Sequence, residues 1–184
     1  MSLPHALLGL LNYRPATGYD LKASFEKSIN LFWNASLPQI YRTLNQMEKK
    51  GWLSFKVEHQ DGKPSRKIYK LTDAGKKELQ KWLSTPPEFP QMKNNMLAKI
   101  FFGNRMDKKD LAVNLRKWRE RYVALLEKLE TEVESAAEHY AAKTGSRDDM
   151  PFWLLTADYG RRYAKMVIKW CDSALDVVEK GKNK

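Results

Sequence analysis

The sequence predicts a mainly α-helical protein with one small β hairpin, built as an N-terminal module over residues 1–84 and long antiparallel helices over 85–184. Three observations predict it. Apolar residues recur at helical spacing along most of the chain, and the period falls to 2 only between Trp52 and Leu71. Between the two regions, Ser84-Thr85-Pro86-Pro87-Glu88-Phe89-Pro90 places three prolines in five positions, which forbids a continuing helix.

Leu3 to Leu11 reads as a short helix with Leu3, Leu7, Leu10 and Leu11 on one face and Pro4 in its first turn. Asn12-Tyr13-Arg14-Pro15 ends it. Thr17-Gly18-Tyr19-Asp20-Leu21 opens a second helix that turns Leu21, Phe25 and Ile29 inward. The third helix has the clearest start: Ser36 with Gln39 forms a capping box, Pro38 sits in the first turn, and Gly51 follows Lys49-Lys50 as a stop. Leu37, Ile40, Leu44 and Met47 make its buried stripe. The other faces carry Ser36, Gln39, Tyr41, Arg42, Thr43, Asn45, Gln46 and Lys49, with no acid before Glu48.

Past Gly51, Trp52 to Glu58 alternates, with Leu53, Phe55 and Val57 on one side, as a half-buried strand would. Gln60-Asp61-Gly62-Lys63-Pro64 is a hairpin turn around Asp-Gly, and Ser65 to Leu71 is the returning strand. Thr72-Asp73 caps a fourth helix through Leu83. Helix, helix, helix, strand, turn, strand, helix is the order of a winged helix-turn-helix.

In the second region, Met92 to Gly103 is a helix. A far longer one runs from Asp107 to about Lys143, roughly 55 Å at ~1.5 Å per residue. Its seam is Leu111, Leu115, Trp118, Tyr122, Leu125, Leu129, Val133, Ala136 and Tyr140, coiled-coil-like with one four-residue slip near Leu129. The last helix begins at Pro151 and reaches about Lys180 before Gly181. Its stripe is Phe152, Leu155, Tyr159, Tyr163, Met166, Trp170, Ala174 and Val177. Two helices this long expose more apolar face than a small winged module covers, so a second copy of the chain is expected to bury it. The residues expected at that homodimer contact are Leu111, Leu115, Trp118, Tyr122, Leu125, Leu129, Tyr159, Tyr163, Met166 and Trp170.

With 184 residues, 42% hydrophobic and 30% charged, the chain is in the globular range. Lysine and arginine number 33 against 22 acids, a net charge of +11 that favours a polyanionic partner. The imbalance is concentrated at the front: residues 1–84 hold 14 basic and 7 acidic side chains, residues 85–184 hold 19 and 15. The single Cys171 makes no internal disulfide and no cysteine-rich zinc site. No apolar run approaches the ~18 residues of a membrane span. The opening Met1-Ser2-Leu3-Pro4-His5 lacks the basic start of a secretory signal. A cytoplasmic protein without membrane contact is expected.

The polar residues of the third helix point to DNA. A helix enters the major groove when its outer face is narrow, free of acids and able to bond base edges. Gln39 and Asn45 suit adenine, and Arg42 suits guanine or phosphate. The hairpin adds Lys63, Arg66 and Lys67, with Lys56 and Lys70 behind, to grip phosphates or reach the adjacent minor groove. The DNA-contacting set is therefore Ser36, Gln39, Tyr41, Arg42, Asn45, Gln46, Lys49, Lys63, Arg66 and Lys67. Nothing suggests catalysis. His5, His59 and His139 are scattered without Glu-x-x-His spacing, there is no phosphate loop or Gly-x-Ser-x-Gly turn, and neither metal nor cofactor is expected.

These residues resemble the PadR family of bacterial transcriptional regulators. The resemblance is carried by Leu7-Leu8-Gly9-Leu10-Leu11, Gly18-Tyr19-Asp20-Leu21, the run from Ile40 to Leu53, and Arg66-Lys67-Ile68-Tyr69-Lys70-Leu71-Thr72-Asp73-Ala74-Gly75, about 75 residues in order. Where the family's wing commonly reads Gly-Arg-Pro, this chain has Gly62-Lys63-Pro64, which keeps the charge. The resemblance implies a homodimeric winged-helix regulator whose C-terminal helices build the dimer and often an effector pocket. The long second region looks like the subfamily of phenolic-acid-responsive repressors and virulence-gene activators. Repression on a pseudo-palindromic operator is the expected mode. Trp118, Tyr122, Trp153, Tyr159 and Tyr163, with Arg161 or Arg162 for an anion, are the side chains available for a small aromatic effector; aromatics at helical spacing are more often dimer core, and that reading is preferred. The rival is a winged helix serving as a protein-binding adaptor, which would show no preferred duplex.

Overall fold

Leu3–Tyr13 form α1, which buries Leu7, Leu8 and Leu11 and half-buries Leu3 and Leu10. The two-residue strand β1, Ala16–Thr17, leads into α2, Gly18–Lys27, and was not foreseen. Thr17 caps α2 reciprocally with Asp20, and Leu21 and Phe25 face the core as expected. The computed structural model describes residues 3–28, 33–60, 63–87, 89 and 93–180, with the backbone alone for Gln60, Lys63 and Pro64. The expected inward Ile29, the Asp61-Gly62 turn, Met92 and Gly181 lie outside the described residues.

α3 spans Leu37–Lys49, with both halves of the Ser36/Gln39 capping box formed and Pro38 in its first turn. Its buried stripe is Ile40, Thr43, Leu44 and Met47. Thr43, expected outside, is buried because it completes the i, i+3, i+4, i+7 set, while Leu37 is only half-buried at the helix end. The helix ends in a Schellman motif: the Trp52 N–H donates to the Met47 carbonyl and the Gly51 N–H to the Glu48 carbonyl, with Gly51 at φ +72°.

β2 (Leu53–Gln60) and β3 (Lys63–Leu71) form the hairpin, and β1 pairs with the far edge of β3, giving the antiparallel order β1-β3-β2. Leu53, Tyr69 and Leu71 are buried, but Phe55 and Val57 are exposed, so the strand is half-buried only at its base. The reason is length: β2 runs outward past the helices that would cover it. α4, Asp73–Leu83, is capped by Thr72 and closes the module. Its core includes Leu7, Leu8, Leu21, Phe25, Ile40, Leu44 and Met47; each such burial is worth roughly 1.5–3 kcal/mol.

The chain divides into two compact units, Met1–Pro90 and Gln91–Lys184. In the second, α5 covers Asn95–Phe101, and the Asn94 side chain accepts from the Met96 and Leu97 N–H groups. The long helix expected from Asp107 to Lys143 is two helices, α6 (Lys108–Thr131) and α7 (Val133–Thr144), which meet at Glu132. At the break the Arg161 guanidinium donates to the Leu129 carbonyl at 3.2 Å, an insertion of the kind that bends a helix. Beyond it the buried positions become Ala137 and Ala141, and Ala136 is exposed.

α8, Met150–Lys180, packs along α6 and α7 with Ala157, Gly160, Ala164, Val167 and Cys171. This inner stripe is not the predicted one. Phe152, Leu155, Tyr159, Met166 and Val177 of the predicted stripe are exposed, with Tyr163 and Trp170 half-buried between the two. Small residues at steps of 3 and 4 let the helices approach closely, which leaves the bulky ones outside.

Candidate nucleic-acid interface

Because Ile40, Thr43, Leu44 and Met47 hold α3 against the core, its opposite side must face out. Pro38, Arg42, Asn45 and Lys49 lie along that side at steps of 4, 3 and 4, flanked by Gln39 and Gln46, and all six are exposed. Ser36 is exposed at the start of the helix. The structure thus brings Ser36, Gln39, Arg42, Asn45, Gln46 and Lys49 onto one surface.

Gln39 has a second employment. Its Oε1 accepts from the Ser36 N–H at 2.8 Å and the Ser36 hydroxyl at 3.0 Å, while its own N–H donates to Ser36 Oγ at 3.4 Å. Bidentate pairing with adenine needs that same oxygen, so only the amide NH2 is left for a base while the cap holds.

Tyr41 is half-buried on the flank facing α2. Its ring stands over Gly18, where a β-carbon would lie 2.6 Å from it, and Tyr19 meets it edge-on at 6.2 Å. Burial, ahead of the neighbouring Tyr19 and Asp20, pushes the Tyr41 phenol up. Asp20 is held below the usual carboxylate range chiefly by the Thr17 hydroxyl at 2.7 Å, with smaller help from Arg14 and Arg66.

On the hairpin, alternation sends Lys67 to the face shared with Phe55, Val57 and Tyr69, and Arg66 to the opposite face with Glu58. The Lys67 ammonium lies 3.7 Å from the centroid of the Phe55 ring and 3.8 Å from Glu48 Oε2 on α3. Arg66 gives Nε and a terminal nitrogen to Glu58 Oε2, both at 2.5 Å. Both cations are exposed. Lys63 begins β3, and its side chain lies outside the described residues.

Three features beside this surface were not read from the sequence. Tyr19 is exposed next to Tyr41. A shallow hollow lies between α1 and α3, lined by Leu3, Trp33, Asn34, Ala35, Gln39, Arg42 and Thr43. The acids Glu48 and Glu58 sit against the hairpin cations. Only Glu48 carried a signal, as the one acid of its helix.

In the second unit, Trp118 is tilted against Tyr122 at 5.3 Å and Tyr122 against Tyr163 at 6.0 Å, with Leu111 and Leu115 buried in the same cluster. Burial, then Tyr163, pushes the Tyr122 phenol up to about 12. Leu129 is buried and Leu125 half-buried. Trp153 stands apart, against Tyr140 at 5.4 Å, and Arg162 is exposed and paired with Asp158 at 2.7 Å. Of the side chains considered for an effector, Trp118, Tyr122 and Tyr163 therefore form one cluster, while Trp153 and Arg162 have other partners. Cys171 is buried, and burial pushes its thiol up. Among the described residues, no His, Cys, Asp and Glu gather in a metal-binding group, and no helix is long and apolar enough to cross a membrane.

Known proteins share this arrangement. Residues 7–81 match the transcriptional regulator PadR-like family, and residues 92–179 match the C-terminal region of virulence activator alpha. A Mycobacterium tuberculosis protein named as a transcriptional regulator is 42% identical over 86 residues, 47% of this chain and 46% of that protein, so the match spans under half of either. The negative transcriptional regulator PadR of Bacillus subtilis is 27% identical over 97% of this chain and 98% of its own. Its crystal structure with operator DNA matches at TM-score 0.81 and 27% identity over 96% and 97% of the two chains. In complex with p-coumaric acid the same regulator matches at TM-score 0.73 and 26% identity over 96% and 98%. The Vibrio cholerae virulence activator AphA matches at TM-score 0.73 and 27% identity over 97% and 99%. With a helix-and-hairpin surface of this kind on the first unit and both units matched in order, this chain belongs to the PadR-like family of transcriptional regulators.

Proposed function

We propose that the chain is a homodimeric, cytoplasmic repressor that binds a pseudo-palindromic operator, with the first unit reading DNA and the second forming the dimer. The observation that carries this reading is the exposed side of α3, where Arg42, Asn45, Gln46 and Lys49 lie beside a hairpin bearing Arg66 and Lys67. Arg42 and Asn45 would meet base edges in the major groove, while Lys49, Lys63, Arg66 and Lys67 would meet phosphates. Tyr41, wedged over Gly18, would set the angle of the helix and offer its hydroxyl at the groove's edge. The name of the Bacillus subtilis relative, and its complex with operator DNA, support a repressor over the adaptor reading.

Dimer formation is supported by α8. It buries one apolar stripe within its own unit and leaves a second, Phe152, Leu155, Tyr159, Met166 and Val177, exposed. A dimer would place two recognition helices on half-sites one turn of duplex, ~34 Å, apart. Selecting bound duplexes from a random pool tests the reading: an inverted repeat with that spacing is expected, and recovery of no preferred sequence would overturn it.

A small aromatic acid as effector is supported by the relative's complex with p-coumaric acid and by the Trp118–Tyr122–Tyr163 cluster. Titrating aromatic acids while following tryptophan fluorescence tests it, and an unchanged signal across a broad set would remove it.

A further inference from the structure

Arg66 and Lys67 of the hairpin each already have a carboxylate against them. Lys67 is 3.8 Å from Glu48, the one acid of α3, and Arg66 places two nitrogens on a single oxygen of Glu58. Exposed pairs like these contribute little to folding, so their effect lies elsewhere. A phosphate that approaches either cation meets a site already half neutralised and a carboxylate that repels it.

We propose that Glu48 and Glu58 are internal counter-ions that set how tightly, and with what salt sensitivity, the hairpin grips a DNA backbone. The inference rests on the DNA-binding reading above and assigns these two acids a role within it. Backbone binding is governed by the net number of phosphates neutralised, with log K falling by ~0.9 per log unit of salt for each one. An acid held beside a cation subtracts from that number. The two pairs lie on opposite faces of the hairpin, so both flanks are restrained. Neither carboxylate lies on the line of Pro38, Arg42, Asn45 and Lys49, so sequence preference is left to Arg42 and Asn45.

The experiment compares wild type, Glu48→Gln, Glu58→Gln and the double variant in anisotropy titrations across a salt series. Two labelled duplexes are used: random sequence, and the winner of the selection above. Each single variant is expected to bind both duplexes roughly three- to tenfold more tightly near ~0.1 M salt, with a slope steeper by ~0.9, and the double variant to gain on both measures again. Wild-type affinity and slope in the variants would overturn the proposal, and so would a gain confined to the selected duplex, which would make the acids base readers. Glu130→Gln in the second unit changes net charge equally; an equal gain there would assign the effect to total charge and overturn it as well. Wild type that binds neither duplex would bring down the DNA-binding reading itself, a result separable from any of these. Gain of binding is not a result that misfolding produces.

Discussion

The α-carbon of Gly75 faces the backbone carbonyl of Trp52 so closely that a β-carbon there would stand 2.2 Å from the oxygen. That oxygen also accepts from the Thr72 N–H at 3.1 Å, and the Thr72 hydroxyl donates to the Gly51 carbonyl at 2.6 Å. The first turn of α4 is thereby fastened to the corner between α3 and β2. Gly75→Ala must move backbone, not a pliable side chain, and is expected to cost about 3 kcal/mol, visible as a lower urea midpoint. An unchanged midpoint would show that the corner is looser than these distances.

Gln39 separates capping from recognition. Ser36→Ala removes the N-cap oxygen and should cost ~1 kcal/mol of stability. Gln39→Glu preserves the cap acceptor but removes the donor NH2 and places negative charge on the exposed side of α3. Its thermal midpoint should stay near wild type while duplex affinity falls at least about tenfold. Equal affinity would leave Gln39 with capping alone.

Arg42 and Lys67 should fail in different ways. If Arg42 reads a base, Arg42→Ala costs ~1–3 kcal/mol on the selected duplex and far less on random sequence; an equal loss on both would make it a phosphate contact. Lys67→Ala should flatten the salt slope by ~1 with sequence preference intact. Filter-binding or anisotropy measurements on the two duplexes distinguish them.

The outer stripe of α8 predicts a clean lesion. Leu155→Asp changes an exposed residue of the isolated chain, so helical content should be retained. Sedimentation should shift from dimer to monomer, and affinity for the palindromic duplex should drop with it. A dimer that survives the substitution places the contact on another face.

Tyr122 gives the second unit an alkaline limit. Its phenol is raised from the usual 10.0 to about 12 in the fold. An acid whose pKa is raised by folding holds its proton longer in the native state, so the stability tied to it is complete below pH ~10 and is lost as pH climbs towards ~12. Denaturation series across that range should show the decline, and Tyr122→Phe should reduce it.

The elements that announce themselves locally were legible in the sequence. Ser36 with Gln39 and Gly51 bracket α3 because caps are chemistry between near neighbours, and Asp-Gly between alternating runs marks a hairpin for the same reason. What was hidden depends on partners far along the chain. The Glu132 break involves Arg161, which lies outside any helical window. A regular hairpin closing at Gln60 and Lys63 would set Glu58 opposite Ser65; the extra residue in β3 sets it opposite Arg66 instead, so that ion pair was unreadable. On α8 the large side chains drew the eye to one stripe, while Ala157, Gly160 and Ala164 buried the other by being small. In the candidate interface, the exposed set on α3 was legible from periodicity, but the pairing of Lys67 with Glu48 had no local signature.

Gly51 links the helix that would enter a groove to the hairpin that would clasp the strand beside it, and it does so in a left-handed conformation that residues with a β-carbon rarely adopt. The reach of the module is therefore written in its main chain. Exchange of the protruding side chains on α3 can alter the message recognised without altering the span, so this bracket can be retuned to new targets while its dimensions stay inherited.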